Sequence, residues 1–231
     1  MENLLRDVMV VLPTKNESIA IAKVIKELKK VGFKKIIVID GNSTDDTRKI
    51  AKELRISVIS DDGSGKGSAI RIALNSVKNN ELLAIMDADY TYSAADLKEM
   101  VHRIRGSDID TIVGNRFHYI DFKSISLIRF IGNMFLTGIF NFLWNTNFPD
   151  LCSGIRVLKP EICKKITLDS KSFDVEAELN AKIIYKKGKI KYVPIKYRTR
   201  IGKSKLKLKH GILIFSRILI DFWNLKIKNL I

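Results

Sequence analysis

Two carboxylates separated by one small residue, Asp87 and Asp89, directly follow the apolar run at 82–86. If that run is a buried strand, it holds both side chains rigidly at one edge of a sheet. Carboxylates in this arrangement bind a hard divalent cation and leave positions open for the oxygens of a diphosphate. A lone Asp-x-Asp is most often a solvated turn, but the place of this pair after a strand favours a site for Mg²⁺ or Mn²⁺.

A glycine-rich segment at 63–68 reads Gly-Ser-Gly-Lys-Gly-Ser. It lacks the Gly-Lys-Ser/Thr ending of a P-loop and does not follow the first predicted strand, so we exclude that motif. No Gly-x-Gly-x-x-Gly follows the first strand either, which counts against a dinucleotide-binding site. Two interpretations stay open: the loop donates backbone N–H groups or Lys66 to a phosphate, or it is a flexible strand-to-helix turn.

Short β-branched runs alternate with amphipathic segments in the first half of the chain, a pattern typical of βα units around a largely parallel sheet. Strands are predicted at 8–12, 36–39, 56–60, 82–86 and 111–114, and helices at 17–30, 44–54, 66–77 and 94–105. Asn16 or Ser18 is expected to cap the first helix. We predict one α/β domain over residues 1–231, with a mostly parallel, Rossmann-like sheet flanked by helices.

Polar and acidic residues follow each of the first four predicted strands, at 13–17, 40–43, 61–63 and 87–89. Ligands of an open α/β sheet bind beyond the carboxyl ends of its strands. The four segments therefore predict a single binding edge.

The charge of the chain is strongly positive, with 41 Lys and Arg against 25 Asp and Glu and a formal net charge of +16. Such a protein attracts polyanions, which include nucleic acid, anionic lipid headgroups and phosphorylated small molecules. The basic character is concentrated near the C-terminus, where residues 186–209 contain many Lys and Arg and no acid.

The two cysteines, Cys152 and Cys163, fit neither a zinc site nor a disulfide framework, which favours a reducing compartment. Residues 1–13 lack the long apolar core of a signal peptide, so we expect a cytoplasmic protein. No uninterrupted apolar run reaches the roughly 20 residues that a spanning helix needs. The apolar stretches at 127–144 and 211–223 are broken by Arg, Asn or Asp, and such segments suit the membrane surface better than its interior.

Seven short segments carry a more specific signal. They are 10–17 (Val-Val-Leu-Pro-Thr-Lys-Asn-Glu), 38–45 (Val-Ile-Asp-Gly-Asn-Ser-Thr-Asp), 65–67 (Gly-Lys-Gly), 87–89 (Asp-Ala-Asp), 114–117 (Gly-Asn-Arg-Phe), 150–156 (Asp-Leu-Cys-Ser-Gly-Ile-Arg) and 200–205 (Arg-Ile-Gly-Lys-Ser-Lys). In these motifs and their order the chain resembles glycosyltransferase family 2, in the branch of dolichol-phosphate mannose synthases and related polyprenyl-phosphate hexosyltransferases. The resemblance covers nearly the whole chain and implies a GT-A fold.

The resemblance implies a donor pocket in which Asp87 and Asp89 hold Mg²⁺ or Mn²⁺ on the diphosphate of a nucleotide sugar. The residues expected to line this pocket are Pro13, Thr14, Glu17, Asp40, Lys66 and Asp87. A carboxylate such as Asp40 can accept hydrogen bonds from the base or the ribose.

On the acceptor side, the resemblance implies that a group of basic residues receives a lipid phosphate. They are Arg116, Arg129, Arg200, Lys203 and Lys205. Arg offers a planar fork for phosphate oxygens, and several cations are needed to bring a diphosphate and a phosphate close together. Taken one at a time, each of these residues is as easily explained as a solvated surface charge.

A phosphate monoester is already nucleophilic near neutral pH, so its attack on the anomeric carbon depends on position and charge more than on a strong base. The expected direct displacement inverts the anomeric centre. Asp89 and Arg116 are expected to carry the catalysis, while Asp150 either orients the sugar or acceptor or forms a structural cap. Glu176 and Glu178, on a predicted helix, either support the site or are ordinary exposed charges.

Two departures from the mannose synthases favour a UDP-sugar over GDP-mannose. Tyr-Thr-Tyr-Ser-Ala follows 87–89 where those enzymes commonly carry a Gln and a Pro-Pro pair, and Asp-Gly at 40–41 replaces their frequent Asp-Asp. The expected reaction transfers a hexose of the glucose, N-acetylglucosamine or mannose type to dolichyl or polyprenyl monophosphate. Helices at about 122–146 and 206–230 are expected to lie peripherally on the cytoplasmic face of a membrane and to flank the acceptor site.

Three other functions fit part of the sequence. The basic tract at 186–209 suggests nucleic-acid binding but leaves the acidic edge unexplained, so we expect no nucleic-acid partner. A sugar-1-phosphate nucleotidyltransferase shares the sheet and the metal carboxylates, but its Gly-rich motif after the first strand is missing. A family 2 enzyme acting on a saccharide or a lipid diphosphate stays open, although the 200–205 motif favours the lipid monophosphate by resemblance.

Overall fold

A seven-stranded sheet forms the centre of the computed structural model, which describes residues 2–228. The strands are β1 (Val8–Thr14), β2 (Lys35–Asp40), β3 (Ser57–Ser60), β4 (Leu82–Ile85), β5 (Thr111–Asn115), β6 (Arg156–Leu158) and β7 (Ile190–Pro194). They lie in the order β3-β2-β1-β4-β6-β5-β7. Neighbours pair in parallel except at β6, which runs antiparallel to β4 and β5. The prediction of a mostly parallel sheet is confirmed.

Helices flank this sheet on both faces. They are α1 (Ile21–Lys30), α2 (Thr47–Glu53), α3 (Lys66–Ser76), α4 (Ala94–Ile104), α5 (Leu127–Trp144), α6 (Pro160–Lys165), α7 (Val175–Tyr185) and α8 (Leu208–Phe222). A short 3₁₀ helix, Glu2–Leu5, precedes β1, and a π-helical segment, Trp223–Ile227, continues α8. The end of the second predicted surface helix, past residue 228, and residue 1 lie outside the described residues.

The core is divided by the sheet because successive side chains of a strand point to opposite faces. On one face Val10 and Leu12 of β1 pack with α1 and α4, and on the other Met9 and Val11 pack with α3, α6 and α7. A third apolar cluster joins α5, α7 and α8 away from the sheet. That cluster fixes the two helices that were predicted to lie on a membrane.

The start of the first two helices corrects the sequence prediction. Neither Asn16 nor Ser18 caps α1, which begins at Ile21 after Ala20 and has no side-chain cap. Instead, the Asn16 side-chain oxygen accepts a hydrogen bond from the Thr44 N–H at 2.8 Å, and the Ser18 N–H donates to Asp45. The two loops after β1 and β2 are therefore tied to each other, and helix formation is delayed in both.

All the strands except β6 point toward one edge, so the loops that follow them meet there. The loop before β6, residues 150–155, enters the sheet from the same edge because β6 runs the opposite way. The segment after β7 leaves from that edge as well. The antiparallel strand thus adds a further loop to the binding edge that the sequence predicted from four strands alone.

Candidate active site

The carboxylate pair lies directly after β4, as predicted. Asp87 has 27% of its side chain exposed, and its Oδ1 is 2.6 Å from the ammonium of Lys66. The same ammonium is 2.6 Å from Oε1 of Glu176 on α7. Burial favours the neutral amine of Lys66, but the two carboxylates outweigh burial and raise its pKa. Lys66 is therefore a buried counter-charge to Asp87, held from behind by α7.

Asp89 is bound from two sides. Its Oδ1 accepts hydrogen bonds from the Thr91 N–H at 3.1 Å and the Thr91 hydroxyl at 2.5 Å. Its Oδ2 accepts a hydrogen bond from the guanidinium of Arg200, and its backbone oxygen accepts one from the Ile201 N–H at 3.0 Å. The turn after β4 and the segment after β7 are thus held together at this carboxylate.

Glu17, predicted on the donor side, contacts two residues predicted on the acceptor side. Its carboxylate accepts hydrogen bonds from Arg200 and from Lys205. Burial raises the pKa of Glu17, although both cations act to lower it. The structure therefore brings Asp89, Glu17, Arg200 and Lys205 into one cluster, where the sequence suggested two separate sets.

A second ion pair joins the end of β5 to the loop before β6. Arg116 donates from Nε and Nη2 to the two oxygens of Asp150 at 2.7 and 2.6 Å, and the Arg116 backbone N–H donates at 3.2 Å. Burial acts to lower the pKa of Arg116, yet the adjacent Asp150 raises it well above its usual value. The sequence left two roles open for Asp150, to orient the sugar or acceptor or to form a structural cap, and its contacts add a third, which is to orient Arg116. Asn133 of α5 also donates to Asp150 at 3.3 Å.

Two tyrosines that the sequence did not single out connect these ion pairs. The Tyr92 hydroxyl accepts a hydrogen bond from the Gly154 N–H at 2.9 Å, and its ring lies edge-on to Tyr197 at 5.4 Å. The guanidinium carbon of Arg116 lies 5.4 Å from the centre of the Tyr197 ring. Both rings come from segments next to the predicted motifs, and only the folded chain brings them together.

Gly154 lies against the ion pair of Lys66 and Asp87. A Cβ at this position would come within 2.4 Å of Asp87 Oδ2 and 2.8 Å of Lys66 Nζ, so any larger residue would force this ion pair to shift. Glu176, which completes the pair, is buried, and the interpretation of it as an exposed helix charge is wrong. The same holds for Glu178, whose buried carboxylate accepts hydrogen bonds from the Asp169 and Ser170 N–H groups.

The expected nucleotide-pocket residues lie at the ends of β1 and β2. Pro13 is half-buried and Thr14 is buried, with its hydroxyl donating to the Leu12 carbonyl. Asp40 is fully buried, and its oxygens accept hydrogen bonds from the Ser43 N–H at 3.0 Å and the Ser43 hydroxyl at 2.5 Å. In this arrangement Asp40 shapes the loop after β2, and its carboxylate is already occupied by the protein.

Asp61, at the end of β3, is a residue that the sequence placed at the edge but gave no role. It accepts a hydrogen bond from the Gly63 N–H at 2.6 Å, and its carboxylate lies against Gly41. Burial raises the pKa of Asp61, and the neighbouring carboxylates of Asp62 and Asp40 add to this. Its position directly after a predicted strand was the sequence signal that could have identified Asp61.

The glycine-rich segment has a packing role. The Gly67 N–H donates to the Lys171 carbonyl at 3.1 Å, and a Cβ on Gly67 would lie 2.3 Å from the Ser170 carbonyl oxygen. Gly65 has φ +132° and faces the same loop. The first turn of α3 is therefore covered by residues 170–172, and Lys66 turns toward Asp87.

The remaining two predicted acceptor residues, Arg129 and Lys203, are exposed. Arg129 lies in the first turn of α5, which the Phe117 and Phe130 rings hold to the loop after β5 at 5.0 Å. Lys203 lies in residues 198–205, here called the basic strap. Within residues 2–228, no ion pair is present for either side chain.

The carboxylates fit a divalent cation shared with a substrate. No group of three or more His, Cys, Asp or Glu residues in the described part of the chain is placed to hold a metal by itself. Mg²⁺ is commonly bound through one or two carboxylates together with phosphate oxygens. Asp87 and Asp89 provide such a pair, with Asp87 the more accessible. The two carboxylates therefore suit a metal ion that binds together with a diphosphate.

The family model described as Glycosyl transferase family 2 matches residues 9–167. The chain belongs to this family. The match includes both carboxylates after β4, Arg116 and the loop that carries Asp150. The basic strap, α7 and α8 lie beyond the matched residues.

Relatives of the chain include two proteins of Haloferax volcanii. "Glycosyltransferase AglJ" is 32% identical over 201 residues, which cover 87% of this chain and 66% of that protein. A "Dolichyl-phosphate hexose transferase" is 27% identical over 202 residues, which cover 87% of this chain and 86% of the relative. The chain thus spans less than two thirds of the length of AglJ.

Among solved structures, glucosyl-3-phosphoglycerate synthase from Mycobacterium tuberculosis has a similar fold. Its complex with Mn²⁺, UDP-glucose and phosphoglyceric acid matches with a TM-score of 0.77 and 18% identity, over 96% of this chain and 81% of that one. The fold of the chain is GT-A, as the resemblance implied.

Proposed function

We propose that this glycosyltransferase transfers a hexose, with inversion, from a nucleotide diphosphate sugar to dolichyl or polyprenyl monophosphate. The observation that carries the proposal is the cluster in which Arg200 contacts both Glu17 and Asp89. Guanidinium and ammonium groups beside a metal-binding carboxylate suit two phosphate groups that must come close together. A nucleic-acid-binding role requires no such cluster.

A UDP-sugar is the favoured donor. Support comes from the GT-A neighbour, whose complex contains UDP-glucose and Mn²⁺. The dolichyl-phosphate hexose transferase supports the lipid monophosphate as acceptor by its name and by its coverage. A saccharide or lipid diphosphate acceptor is the alternative within the same family.

The chain's own residues supply position and charge for the displacement. Asp87 and Asp89 would hold Mg²⁺ or Mn²⁺, which supplies charge stabilisation to the departing nucleotide diphosphate. Arg116, fixed by Asp150 and stacked near Tyr197, presents its remaining N–H groups to an anion at the same edge. Because a phosphate monoester needs little activation, the proposed mechanism has no strong protein base.

The outer faces of α5 and α8 support a membrane-bound acceptor. The two helices share one apolar cluster, which leaves their other faces exposed. The exposed apolar residues are Leu127, Ile128, Ile131, Met134, Phe135 and Phe142 of α5 with Leu208, Ile212, Leu213, Leu219 and Ile220 of α8. Exposed patches of this kind mark interaction surfaces, and helices with nearby Lys suit anionic headgroups.

α5 itself is long and apolar enough to cross a membrane, judged by length and composition alone, and it is the one such helix among the described residues. Its other face, with Leu136, Phe140 and Trp144, packs in the protein. This two-sided arrangement supports a helix that lies at the headgroup level, and the cytoplasmic face is proposed from the sequence alone.

A donor panel tests the proposal. Membrane fractions from cells that produce the protein are incubated with radiolabelled UDP- and GDP-sugars, and lipid is extracted. We expect organic-phase label from one or more UDP-hexoses in wild type and none in Asp89→Ala. Label confined to water-soluble products, with none in lipid for any donor, would contradict the acceptor assignment.

A further inference from the structure

The basic strap is tied to the turn after β4 at several points. The Arg198 N–H donates to the Thr91 carbonyl at 2.9 Å, and the Ile201 N–H donates to the Asp89 carbonyl at 3.0 Å. Near its other end, the Lys205 ammonium donates to the Asn16 carbonyl at 3.1 Å. The strap therefore spans from the carboxylate pair to the loop after β1.

Arg200 lies between these points and uses its fork on two carboxylates. Nη1 donates to Asp89 Oδ2, and Nη2 donates to Glu17 Oε1. Its Nε is buried and has no hydrogen-bond partner in residues 2–228. The guanidinium is therefore held by two carboxylates at its end, while its Nε–H lacks an acceptor among the described residues.

Asp89 has one oxygen that is free of the β4 turn, and Arg200 occupies it. Oδ1 already accepts two hydrogen bonds from Thr91, so Oδ2 is the oxygen that a cation would approach. A divalent cation and a guanidinium at the same oxygen would lie within a few ångströms of each other and repel strongly in this partly buried site. The two positive groups therefore compete for Asp89.

Lys66, the counter-charge of Asp87, differs in this respect. It is bound to Asp87 and Glu176 at once, at 2.6 Å each, and only 12% of its side chain is exposed. Arg200 sits on a strap at the surface, with 23% of its side chain exposed. Of the two cations, Arg200 is the one that can leave without opening the core.

We propose that Arg200 is an exchangeable counter-ion of Asp89, which a divalent cation bound with the donor diphosphate displaces. Displacement removes the side-chain tie between the strap and Asp89 and frees the Arg200 fork for the acceptor phosphate. The acceptor site is then completed only after the donor and its metal have bound. This inference rests on the proposed function, because it requires a metal at Asp89.

The test measures Mn²⁺ binding directly, by electron paramagnetic resonance of free Mn²⁺ in the presence of saturating UDP. Arg200→Ala is expected to bind Mn²⁺ about tenfold more tightly than wild type, within the range typical of coupled sites. Lys209→Ala is the control, since it removes an exposed cation of α8, outside the strap, that forms no ion pair among residues 2–228, and it should stay within about twofold. Asp89→Asn should lose most of the Mn²⁺ affinity.

A second readout needs no variant. Hydrogen exchange of strap amides, above all that of Ile201, should accelerate when Mn²⁺ and UDP are added to wild-type protein, because a strap that has lost the Arg200 tie opens more often at its backbone bond to the Asp89 carbonyl. UDP with EDTA should leave exchange unchanged. Thermal melts of Arg200→Ala and Asp89→Asn establish that both variants are folded.

The outcomes separate this inference from the proposed function. If Asp89→Asn loses Mn²⁺ but Arg200→Ala binds it no more tightly than wild type, exchange at Asp89 is wrong and the transferase assignment stands. The displacement of Arg200 is equally contradicted if the hydrogen-exchange rates of the strap amides do not change when Mn²⁺ and UDP are added. If Asp89→Asn binds Mn²⁺ as wild type does, the metal site fails and both proposals lose their basis.

Discussion

The two aspartates after β4 are each paired with a cation, and the two cations differ in how firmly the protein holds them. Behind the site, Lys66 pairs with Asp87 and is anchored by Glu176, whose side chain is only 5% exposed. At the front, Arg200 pairs with Asp89 from a surface strap, together with Lys205 on Glu17. The rear cation belongs to the packed core and sets the charge of the site permanently. The front cation can be exchanged, so only it is suited to respond to substrate.

The largest effect is expected at Asp89, the carboxylate that pairs with the front cation. Asp89→Ala should lower the rate of lipid glycosylation by about a thousandfold or more, since several kcal/mol of charge stabilisation are removed. The assay is initial-rate transfer at saturating donor, lipid and Mn²⁺. Glu53→Ala, at an exposed carboxylate at the end of α2, serves as the control. Retained turnover in Asp89→Ala would remove the metal hypothesis.

Removal of the rear cation should affect stability, whereas removal of the front cation should not. Lys66→Ala leaves Asp87 and Glu176 without their shared partner, so we expect the free energy of unfolding to fall by about 3 kcal/mol. Arg200→Ala should cost less, about 1 kcal/mol, because Glu17 keeps its pair with Lys205 and Asp89 keeps its hydrogen bonds from Thr91. Denaturant titration measures both. Equal losses in the two variants would erase the distinction between rear and front.

Arg116 provides a sharper test of charge against geometry. Arg116→Lys keeps the positive charge but loses the fork that binds both Asp150 oxygens. We expect kcat for lipid transfer to fall by about tenfold or more, with a smaller change in donor KM. Steady-state kinetics with each substrate varied separates the two constants. A normal kcat in Arg116→Lys would show that charge alone suffices there.

The smallest effect concerns the anchor of the strap, α8. Burial raises the pKa of Asp221 to about 6 from 3.8, against the opposing charge of Arg217. Because the folded-state pKa is the higher one, the stability contribution of Asp221 is present below pH 4 and lost as pH rises through 6. Asp221→Asn should therefore be about 1 kcal/mol more stable than wild type at pH 7, with the difference vanishing near pH 4.

Thermal melts of the two proteins across this pH range provide the measurement. Arg217 keeps its pair with Asp174 at 3.0 Å in both, so α8 stays docked on α7. A difference that is constant with pH would assign the effect of Asp221 to packing rather than to its charge.

The first half of the fold could be predicted because its signals are local. Five β-branched runs and four amphipathic segments were correctly placed, and the acids after the strands do meet at one edge. β6 was missed because it has three residues and begins with the fully buried Arg156, which interrupts any apolar run. β7 was hidden in the basic tract, where Lys191 separates its apolar residues.

The pairing of site residues could not be predicted from local patterns. Glu17 and Arg200 are 183 positions apart, and no periodicity links them. The sequence assigned them to donor and acceptor sets, and only the topology, with β7 ending at the same edge as β1, brings them into contact. The burial of Glu176 likewise depends on α7 lying between α3 and α8.

The central claim is that the enzyme joins a metal-bound donor to a phosphate monoester, and acceptor selectivity tests it most directly. Purified enzyme with Mn²⁺ and a radiolabelled UDP-hexose is given equal amounts of polyprenyl monophosphate, polyprenyl diphosphate or free polyprenol. The account predicts lipid-bound label with the monophosphate only, and none when EDTA is added. Equal labelling of the alcohol or the diphosphate, or full labelling in EDTA, would contradict it.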